Sequence, residues 1–352
     1  MGISRGARGV ARRLLLFMGL GGALARYRAW RLDRSEIVEV TPLAGPAATG
    51  RKPAPGAHLL ACDARTALHL PGRTSLTYGS DTSETVEYRF NSAGYRSEEL
   101  DPKARLRVLL VGESHALGNG VPFEQTLGQR FKTHLALALT LPEEAINVIN
   151  LSAGGTSADY CARTLIRQVD IVAPDLVLCL FPEPDRIEDY SANRVKSYKV
   201  AGIDAEQLET APIPVQGFID LYNVHFGRMN MARNALLIQS MCRLRGIENI
   251  IVSDELRPRH FRTPVLQPVY AQLDRGRLLL HSFFANRADL AADGMHAGVR
   301  THEAVAIMML ARYAALLKAG GQAERGGRLS DYVRRLKKDS EDWKFVRQAQ
   351  KG

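Results

Sequence analysis

The most constraining feature of this sequence is a regular alternation of short apolar runs and longer amphipathic runs between residues 105 and 318. The first apolar run, Leu106-Arg-Val-Leu-Leu-Val111, ends at a glycine, and the next run carries Leu127, Phe131 and Leu135 at helical spacing. Such an alternation is typical of a parallel sheet whose right-handed crossovers place helices on both faces. We therefore predict a three-layer α/β/α domain around a central parallel sheet of about five strands. The predicted strands are 106–111, 146–151, 174–181, 247–252 and 278–280, and the predicted helices are 126–139, 157–172, 228–245 and 300–317.

The pattern divides the chain into four segments. Residues 1–57 form a basic leader that continues into a Pro-, Gly- and Ala-rich linker. Residues 58–104 carry short alternating runs, which predict a small N-terminal β extension. The α/β domain covers 105–318, and 319–352 is a basic tail that is either helical or disordered.

The leader contains one apolar stretch, residues 14–25, directly after a cluster of arginines. Twelve apolar residues are too few to span a bilayer, which takes about 20. The stretch fits the hydrophobic region of a secretory signal, and it fits a leader without that role equally well. The sequence is therefore compatible with a cytoplasmic protein and with a membrane-associated or exported one.

The net charge of +10 comes from the two ends of the chain. Residues 1–34 carry a net +7 and residues 318–352 a net +5, which leaves −2 for the central body. Since no nucleic-acid-binding motif accompanies this charge, we expect no specific nucleic-acid partner. The basic N-terminus is suited to contact an anionic membrane surface. Because the four cysteines form no CxxC pair, we expect neither a zinc site nor a disulfide framework.

Candidate functional residues follow the predicted strands. Ser114 comes directly after the first strand, in Gly112-Glu-Ser114-His115, where a tight turn would expose its hydroxyl and its N–H. A serine here is also a common helix N-cap, so both interpretations stay open. The second strand ends in Asn150-Leu-Ser-Ala-Gly154-Gly155, where glycine permits a close backbone approach. An ordinary turn into a helix capped by Ser157 is the alternative there.

The segment before the last helix holds Asp293-Gly-Met-His296. A carboxylate three residues before a histidine can accept a hydrogen bond from Nδ1–H, which leaves Nε2 free to act as a base. Metal ligation is the alternative, but no third ligand stands at a helpful spacing. Because functional residues of a parallel sheet gather beyond the carboxyl ends of its strands, we expect Ser114, Gly155 and this pair to converge.

The order of these motifs resembles that of the SGNH (GDSL-like) hydrolase family. Val111-Gly-Glu-Ser114 is similar to the family's Gly-Asp-Ser block, with Glu113 in place of the usual Asp. The segment from Asn150 to Gly155 is similar to the second block, and Asp293-Gly-Met-His296 to the last. Further similarities are Gly118 and Gly120 after the serine and the lead-in Asn91-Ser-Ala-Gly94-Tyr-Arg96; the resemblance covers roughly residues 85–315.

This resemblance implies a flavodoxin-like SGNH hydrolase fold, with Ser114 as nucleophile, His296 as its base and Asp293 as the carboxylate that orients the imidazole. The backbone N–H groups of Ser114 and Gly155 would form the oxyanion hole. Neither a metal nor an organic cofactor is expected, since this chemistry needs none.

One block departs from the family pattern. The family's third block ends its strand with Gly-x-Asn-Asp, and that Asn donates a side-chain hydrogen bond to the oxyanion. Here the strand continues as Phe181-Pro-Glu183-Pro184-Asp185, and Pro184, which has neither a side-chain donor nor an N–H, takes the place of the Asn. Losing one such donor costs roughly 10²–10³ in turnover. His115 is a candidate substitute, and we expect His115, Glu183 and Asp185 near the substrate.

The resemblance implies a serine hydrolase that cleaves an O-acyl ester of a carbohydrate, a lipid or a small alcohol through an acyl-enzyme. Two alternatives stay open: an O-acyltransferase acting on a glycan, and a catalytically weak or silent binding module because of Pro184. The insertion Tyr190–Gly217 is either a lid over the site or a surface loop. We expect a small-molecule or glycan ester as partner, and the sequence does not predict the oligomeric state.

Overall fold

A computed structural model describes residues 58–59, 75–79, 85–189, 196–200, 216–217, 219 and 222–339. The predictions for the leader and linker at 1–57, for Cys62, for most of the insertion 190–217 and for residues 340–352 lie outside these described residues.

The centre of the molecule is a five-stranded parallel sheet, and this confirms the predicted α/β fold class. Its strands are β3 (Leu106–Gly112), β4 (Ile146–Asn150), β5 (Leu176–Leu180), β8 (Glu248–Val252) and β9 (Leu278–Leu279), in the spatial order β4-β3-β5-β8-β9. Two antiparallel hairpins accompany the sheet: β1 (Ser75–Gly79) with β2 (Thr85–Arg89), and β6 (Arg186–Asp189) with β7 (Lys196–Lys199).

The sheet forms because its strands are apolar on both faces. Every residue of β3 is buried, and its side chains alternate between two hydrophobic cores. Val108 and Leu110 belong to one core, whereas Leu109 and Val111 belong to the other. Burial on both faces is the condition under which a parallel strand reads as a continuous apolar run. This is why β3 was predictable from its sequence.

The helices cover the two faces of the sheet and complete the three layers. They are α1 (Ser114–Leu117), α2 (Leu127–Leu139), α3 (Ala158–Val172), α4 (Val224–Leu244), α5 (Gln267–Ala271), α6 (Val299–Ala319) and α7 (Ala323–Asp339). Apolar side chains of α2, α6 and α7 share the core on one face of the sheet. Those of α3 and α4 share the core on the other face, together with the buried free thiols of Cys161, Cys179 and Cys242.

Local signals account for where the helices begin. Helix α3 begins after Ser157, whose side chain accepts hydrogen bonds from the N–H groups of Asp159 and Tyr160. Helix α4 begins four residues earlier than predicted, because Asn223 caps it by accepting from the Phe226 N–H. The tail prediction left helix and disorder open, and residues 323–339 of that tail form α7. Among the described residues, no helix combines the length and the apolar character that crossing a bilayer requires.

A charged cluster joins α2 to α6. The Glu303 carboxylate accepts from His134 Nε2 at 2.8 Å and is also bonded to the Arg130 guanidinium. Burial alone would raise the pKa of Glu303, but the hydrogen bonds and charges of His134 and Arg130 outweigh it and lower the pKa to about 2. The folded state therefore binds the proton of Glu303 more weakly than the unfolded state does.

This cluster predicts acid-sensitive stability. Because the folded pKa of Glu303 lies below its ordinary value of 4.5, its stabilisation is complete above pH 4.5 and is lost as the pH falls toward 2. We expect Glu303→Gln to lower the free energy of unfolding by about 3 kcal/mol at pH 7. The difference from the wild type should shrink between pH 4.5 and pH 2, as measured by urea unfolding. Glu324→Gln, in an exposed pair with Arg328, is the matched control and should change stability by less than about 0.5 kcal/mol. An equal effect of both variants would contradict this account.

Candidate active site

The site is built on the turn that follows β3. Ser114 is the first residue of the short helix α1, and Glu113 occupies the N-cap position, where its side chain accepts from the His115 N–H. The interpretation of Ser114 as the helix cap is therefore wrong, because Glu113 has that role. Because Ser114 is the first residue of α1, the helix has no preceding turn whose carbonyl oxygen could accept from the Ser114 N–H.

A buried arginine holds this turn in place. Arg96 is fully buried, and its guanidinium donates to the carbonyl oxygens of Leu117, Gly118 and Val121 at 3.3, 2.5 and 2.7 Å. It also lies 4.0 Å from the centre of the Tyr88 ring, while the Tyr88 hydroxyl accepts from the Gly120 N–H. Burial lowers the pKa of Arg96 to about 10, so the guanidinium stays charged at neutral pH. The β extension thus supports the serine turn directly.

The loop before α6 presents Asp293 and His296. Gly294 between them has a φ of +69°, which lets the chain fold back so that Asp293 Oδ1 accepts from the N–H groups of Met295 and His296. Asp293 Oδ2 lies 2.5 Å from His296 Nδ1. Burial alone would raise the pKa of Asp293, but the hydrogen bonds from His296 and Met295 outweigh it and lower the pKa to about 2. The carboxylate is therefore ionised and fixes the orientation of the imidazole.

The two segments meet at Ser114. His296 Nε2 lies 2.9 Å from Ser114 Oγ, so the hydroxyl, the imidazole and the Asp293 carboxylate form one hydrogen-bonded line. A neutral imidazole whose Nδ1–H is donated to a carboxylate has an unprotonated Nε2, which accepts. This arrangement suits proton transfer from the serine hydroxyl to the histidine.

Ser114 Oγ also has a second acceptor. Its hydroxyl lies 2.6 Å from Glu113 Oε2, and the other oxygen of that carboxylate lies 2.8 Å from His115 Nδ1. Burial alone would raise the pKa of Glu113, but the charge and hydrogen bond of His115 and the hydrogen bond of Ser114 outweigh it. The pKa falls to about 2. Since the hydroxyl has one proton, the ionised Glu113 and His296 compete for it.

The β4–α3 loop reaches Ser114 from the neighbouring strand. A Cβ placed on Gly154 would lie 3.9 Å from Ser114 Cβ, whereas a Cβ placed on Gly155 would meet nothing within 4 Å. Gly155 has a φ of +74°, the left-handed region that favours glycine. The position that a Cβ on Gly155 would take is therefore open space.

The structure places the remaining predicted residues around the end of β5. Pro184 packs against α4, and Gly227 of that helix permits the contact, since a Cβ there would lie 2.3 Å from the Pro184 carbonyl oxygen. Glu183 forms an ion pair with Arg186 at 3.1 Å, and Asp185 is buried. His115 is buried too, with its ring centre 5.0 Å from that of His296.

A small cavity of about 90 Å³ lies beside Glu113, on the side of β5, β8 and β9. His115, Glu183, His281 and Phe284 contribute to its wall. Burial lowers the pKa of His281 to about 4, so this imidazole is neutral at pH 7. No group of three or more His, Cys, Asp or Glu side chains suited to a metal ion occurs in the part of the chain that the structure describes.

Several residues at the site escape reasoning from sequence. The contact of Glu113 with both Ser114 and His115 depends on the side-chain geometry at the cap. The three carbonyl acceptors of Arg96 lie 21–25 residues away from it. Asn119 stands between two glycines, which is typical of a turn but does not indicate what its side chain contacts.

Comparisons with known proteins give fold-level likenesses. Neither protein-family profiles nor curated protein sequences match this chain. Among solved structures, it is similar to TesA, with 16% identity and a TM-score of 0.37 over 60% of this chain and 98% of the other. It is also similar to a psychrotrophic esterase EstA from Pseudoalteromonas sp., with 14% identity and a TM-score of 0.37 over 60% and 98% of the two chains. A family two carbohydrate esterase from Cellvibrio japonicus has 13% identity and a TM-score of 0.34 over 65% and 63%. Matches at these values do not assign an activity to this chain.

The support of the serine turn by Arg96 is testable. Arg96→Met would remove the guanidinium from three buried carbonyl oxygens, of which that of Gly118 keeps the Val121 N–H. Each buried acceptor left unsatisfied costs about 1–3 kcal/mol. We expect the free energy of unfolding to fall by more than about 3 kcal/mol in urea titrations. Arg89→Met, at an exposed position in the same segment, should be close to neutral. An Arg96→Met variant as stable as the wild type would show that the turn holds without the guanidinium.

Proposed function

We propose that this chain is a serine hydrolase that cleaves an O-acyl ester through an acyl-enzyme, with Ser114 as nucleophile. The observation that carries the proposal is the continuous line from Ser114 Oγ to His296 Nε2 at 2.9 Å and from His296 Nδ1 to Asp293 Oδ2 at 2.5 Å. A hydroxyl, a base and a group that orients the base are the elements needed to activate a serine.

In the acylation step, Ser114 Oγ attacks the carbonyl carbon of the ester while its proton passes to His296 Nε2. The ionised Asp293 stabilises the imidazolium that forms. The carbonyl oxygen becomes an oxyanion, which the backbone N–H groups of Ser114 and Gly155 receive. Collapse of the tetrahedral intermediate breaks the bond to the alcohol oxygen, which takes the proton from His296.

In the second step, water repeats the attack on the acyl-serine. His296 now removes a proton from the water and returns one to Ser114 Oγ, so the products are a carboxylic acid and the free enzyme. An acceptor alcohol in place of water would make the same site an O-acyltransferase. No metal or organic cofactor takes part in either step.

The cavity beside Glu113 has neither Ser114 nor His296 among the described residues of its wall. Its wall combines the rings of Phe283 and Phe284 with the carboxylate of Glu183 and the imidazole of His281. Its volume of about 90 Å³ is well below the roughly 300 Å³ of a small ligand pocket. The substrate class therefore stays an ester of a carbohydrate, a lipid or a small alcohol.

A second candidate function is a silent binding module with the same fold. The Ser114–Glu113 distance of 2.6 Å is shorter than the Ser114–His296 distance of 2.9 Å. A hydroxyl that donates permanently to Glu113 would not pass its proton to His296. In that case the site would bind an ester or a sugar without turnover.

The two candidates differ in their reaction with a fluorophosphonate probe. We expect the purified full chain to take up one phosphonyl group per molecule in intact-mass spectra, because His296 activates Ser114. Ser114→Ala and His296→Ala should not be labelled, whereas Ser330→Ala in α7 should be labelled like the wild type. A folded wild type that stays unlabelled would favour the silent module, and labelling of Ser114→Ala would exclude Ser114 as the nucleophile.

A further inference from the structure

The side chain of Asn119 is attached to the turn that carries Ser114. It lies between Gly118 and Gly120, which have φ values of +82° and +70°, and its N–H donates to the Ser114 carbonyl oxygen at 3.0 Å. The Gly120 carbonyl oxygen in turn accepts from the Ala292 N–H, in the loop that presents Asp293. Asn119 is thus fixed between the serine turn and the histidine loop.

The carboxamide of Asn119 faces the β4–α3 loop next to Ser114. A Cβ placed on Gly154 would lie 3.8 Å from Asn119 Nδ2 and 3.9 Å from Ser114 Cβ. Both groups therefore border the space beside Gly154, next to the glycine whose N–H we assign to the oxyanion. Asn119 Oδ1 is buried and has no hydrogen-bond partner among the described residues. No protein contact of that oxygen holds the carboxamide in one orientation.

Two other polar side chains near this space have partners, whereas Ser152 Oγ, which is buried in the same β4–α3 loop, has none among the described residues. Asn150 Nδ2 donates to the Ala116 carbonyl oxygen at 2.8 Å, and Thr156 Oγ1 donates to that of Ala153 at 2.7 Å. His115 Nδ1 lies 2.8 Å from the ionised Glu113. That contact already engages one nitrogen of His115, whose buried ring has its centre 5.0 Å from that of His296.

We infer that the Asn119 carboxamide is the side-chain donor to the oxyanion, in the role that Pro184 is unable to fill. This inference rests on the proposed hydrolase function and deepens it. Asn119 Nδ2–H would supplement the N–H groups of Ser114 and Gly155 as the negative charge forms on the carbonyl oxygen. A neutral amide stabilises that charge without adding a proton that titrates near neutral pH.

The test measures how fast a fluorophosphonate labels the full chain, with kinact and KI determined separately. The phosphonyl oxygen develops negative charge during attack, so an oxyanion donor affects kinact rather than KI. We expect Asn119→Ala and Asn119→Asp to lower kinact by about 10² or more. KI should stay within about twofold. The thermal unfolding midpoint of Asn119→Ala should stay unchanged, since the buried Oδ1 that it removes has no hydrogen-bond partner among the described residues.

Two further variants sharpen this test. Gln322→Glu makes the same exchange of an amide for a carboxylate near Arg105 and Leu106, at the amino end of β3, and should label at the wild-type rate. Gly154→Ala adds a methyl group in ordinary contact with Asn119 and Ser114, so it should fold normally and label more slowly. If the wild type labels and both Asn119 variants label at its rate, the inference is overturned while the proposed function stands. If the folded wild type does not label at all, the proposed function falls and the inference falls with it.

Discussion

The contact between Ser114 Oγ and His296 Nε2 joins two residues that are 182 positions apart in the chain. It forms only when β3 is in the sheet, α6 is packed on one face, and the loop before α6 turns back over the carboxyl end of β3. The hydrogen bond from Ala292 N–H to the Gly120 carbonyl oxygen ties the two loops together beside this contact. The site thus depends on the closure of the whole α/β domain rather than on one local motif.

Glu113 makes the site electrostatically unusual. A buried, ionised carboxylate stands 2.6 Å from the hydroxyl that the proposed reaction uses as nucleophile. Its negative charge repels an oxyanion that forms nearby, so the oxyanion needs hydrogen-bond donors that offset this repulsion. The pairing of Glu113 with His115 Nδ1 offsets part of that charge, and the Asn119 carboxamide is suited to offset more of it. Pro184, which has neither a side-chain donor nor an N–H, adds no donor near the end of β5.

The fold was predictable because its strands are buried on both faces and its helices on one. Burial on both faces gives β3 its uninterrupted apolar run, and burial on one face gives α2 the helical spacing of Leu127, Phe131 and Leu135. The topology rule for parallel sheets then predicted that Ser114 and the Asp293–His296 pair would lie close together, whereas their catalytic roles stay predictions. The contacts of Arg96, Glu113 and Asn119 were not predictable in the same way. They depend on which carbonyl, hydroxyl or glycine a side chain meets after the domain has closed, and no periodicity in the sequence records this.

The most direct test of the account is to trap the acyl-enzyme. The full chain would be mixed with p-nitrophenyl acetate, quenched in acid, digested and analysed by peptide mass spectrometry, with His296→Ala treated alongside. The account predicts a burst of p-nitrophenol and an acetyl group on the peptide that contains Ser114, with neither in the variant. An acetyl group found only on other side chains, or one on Ser114 at equal levels in His296→Ala, would contradict it.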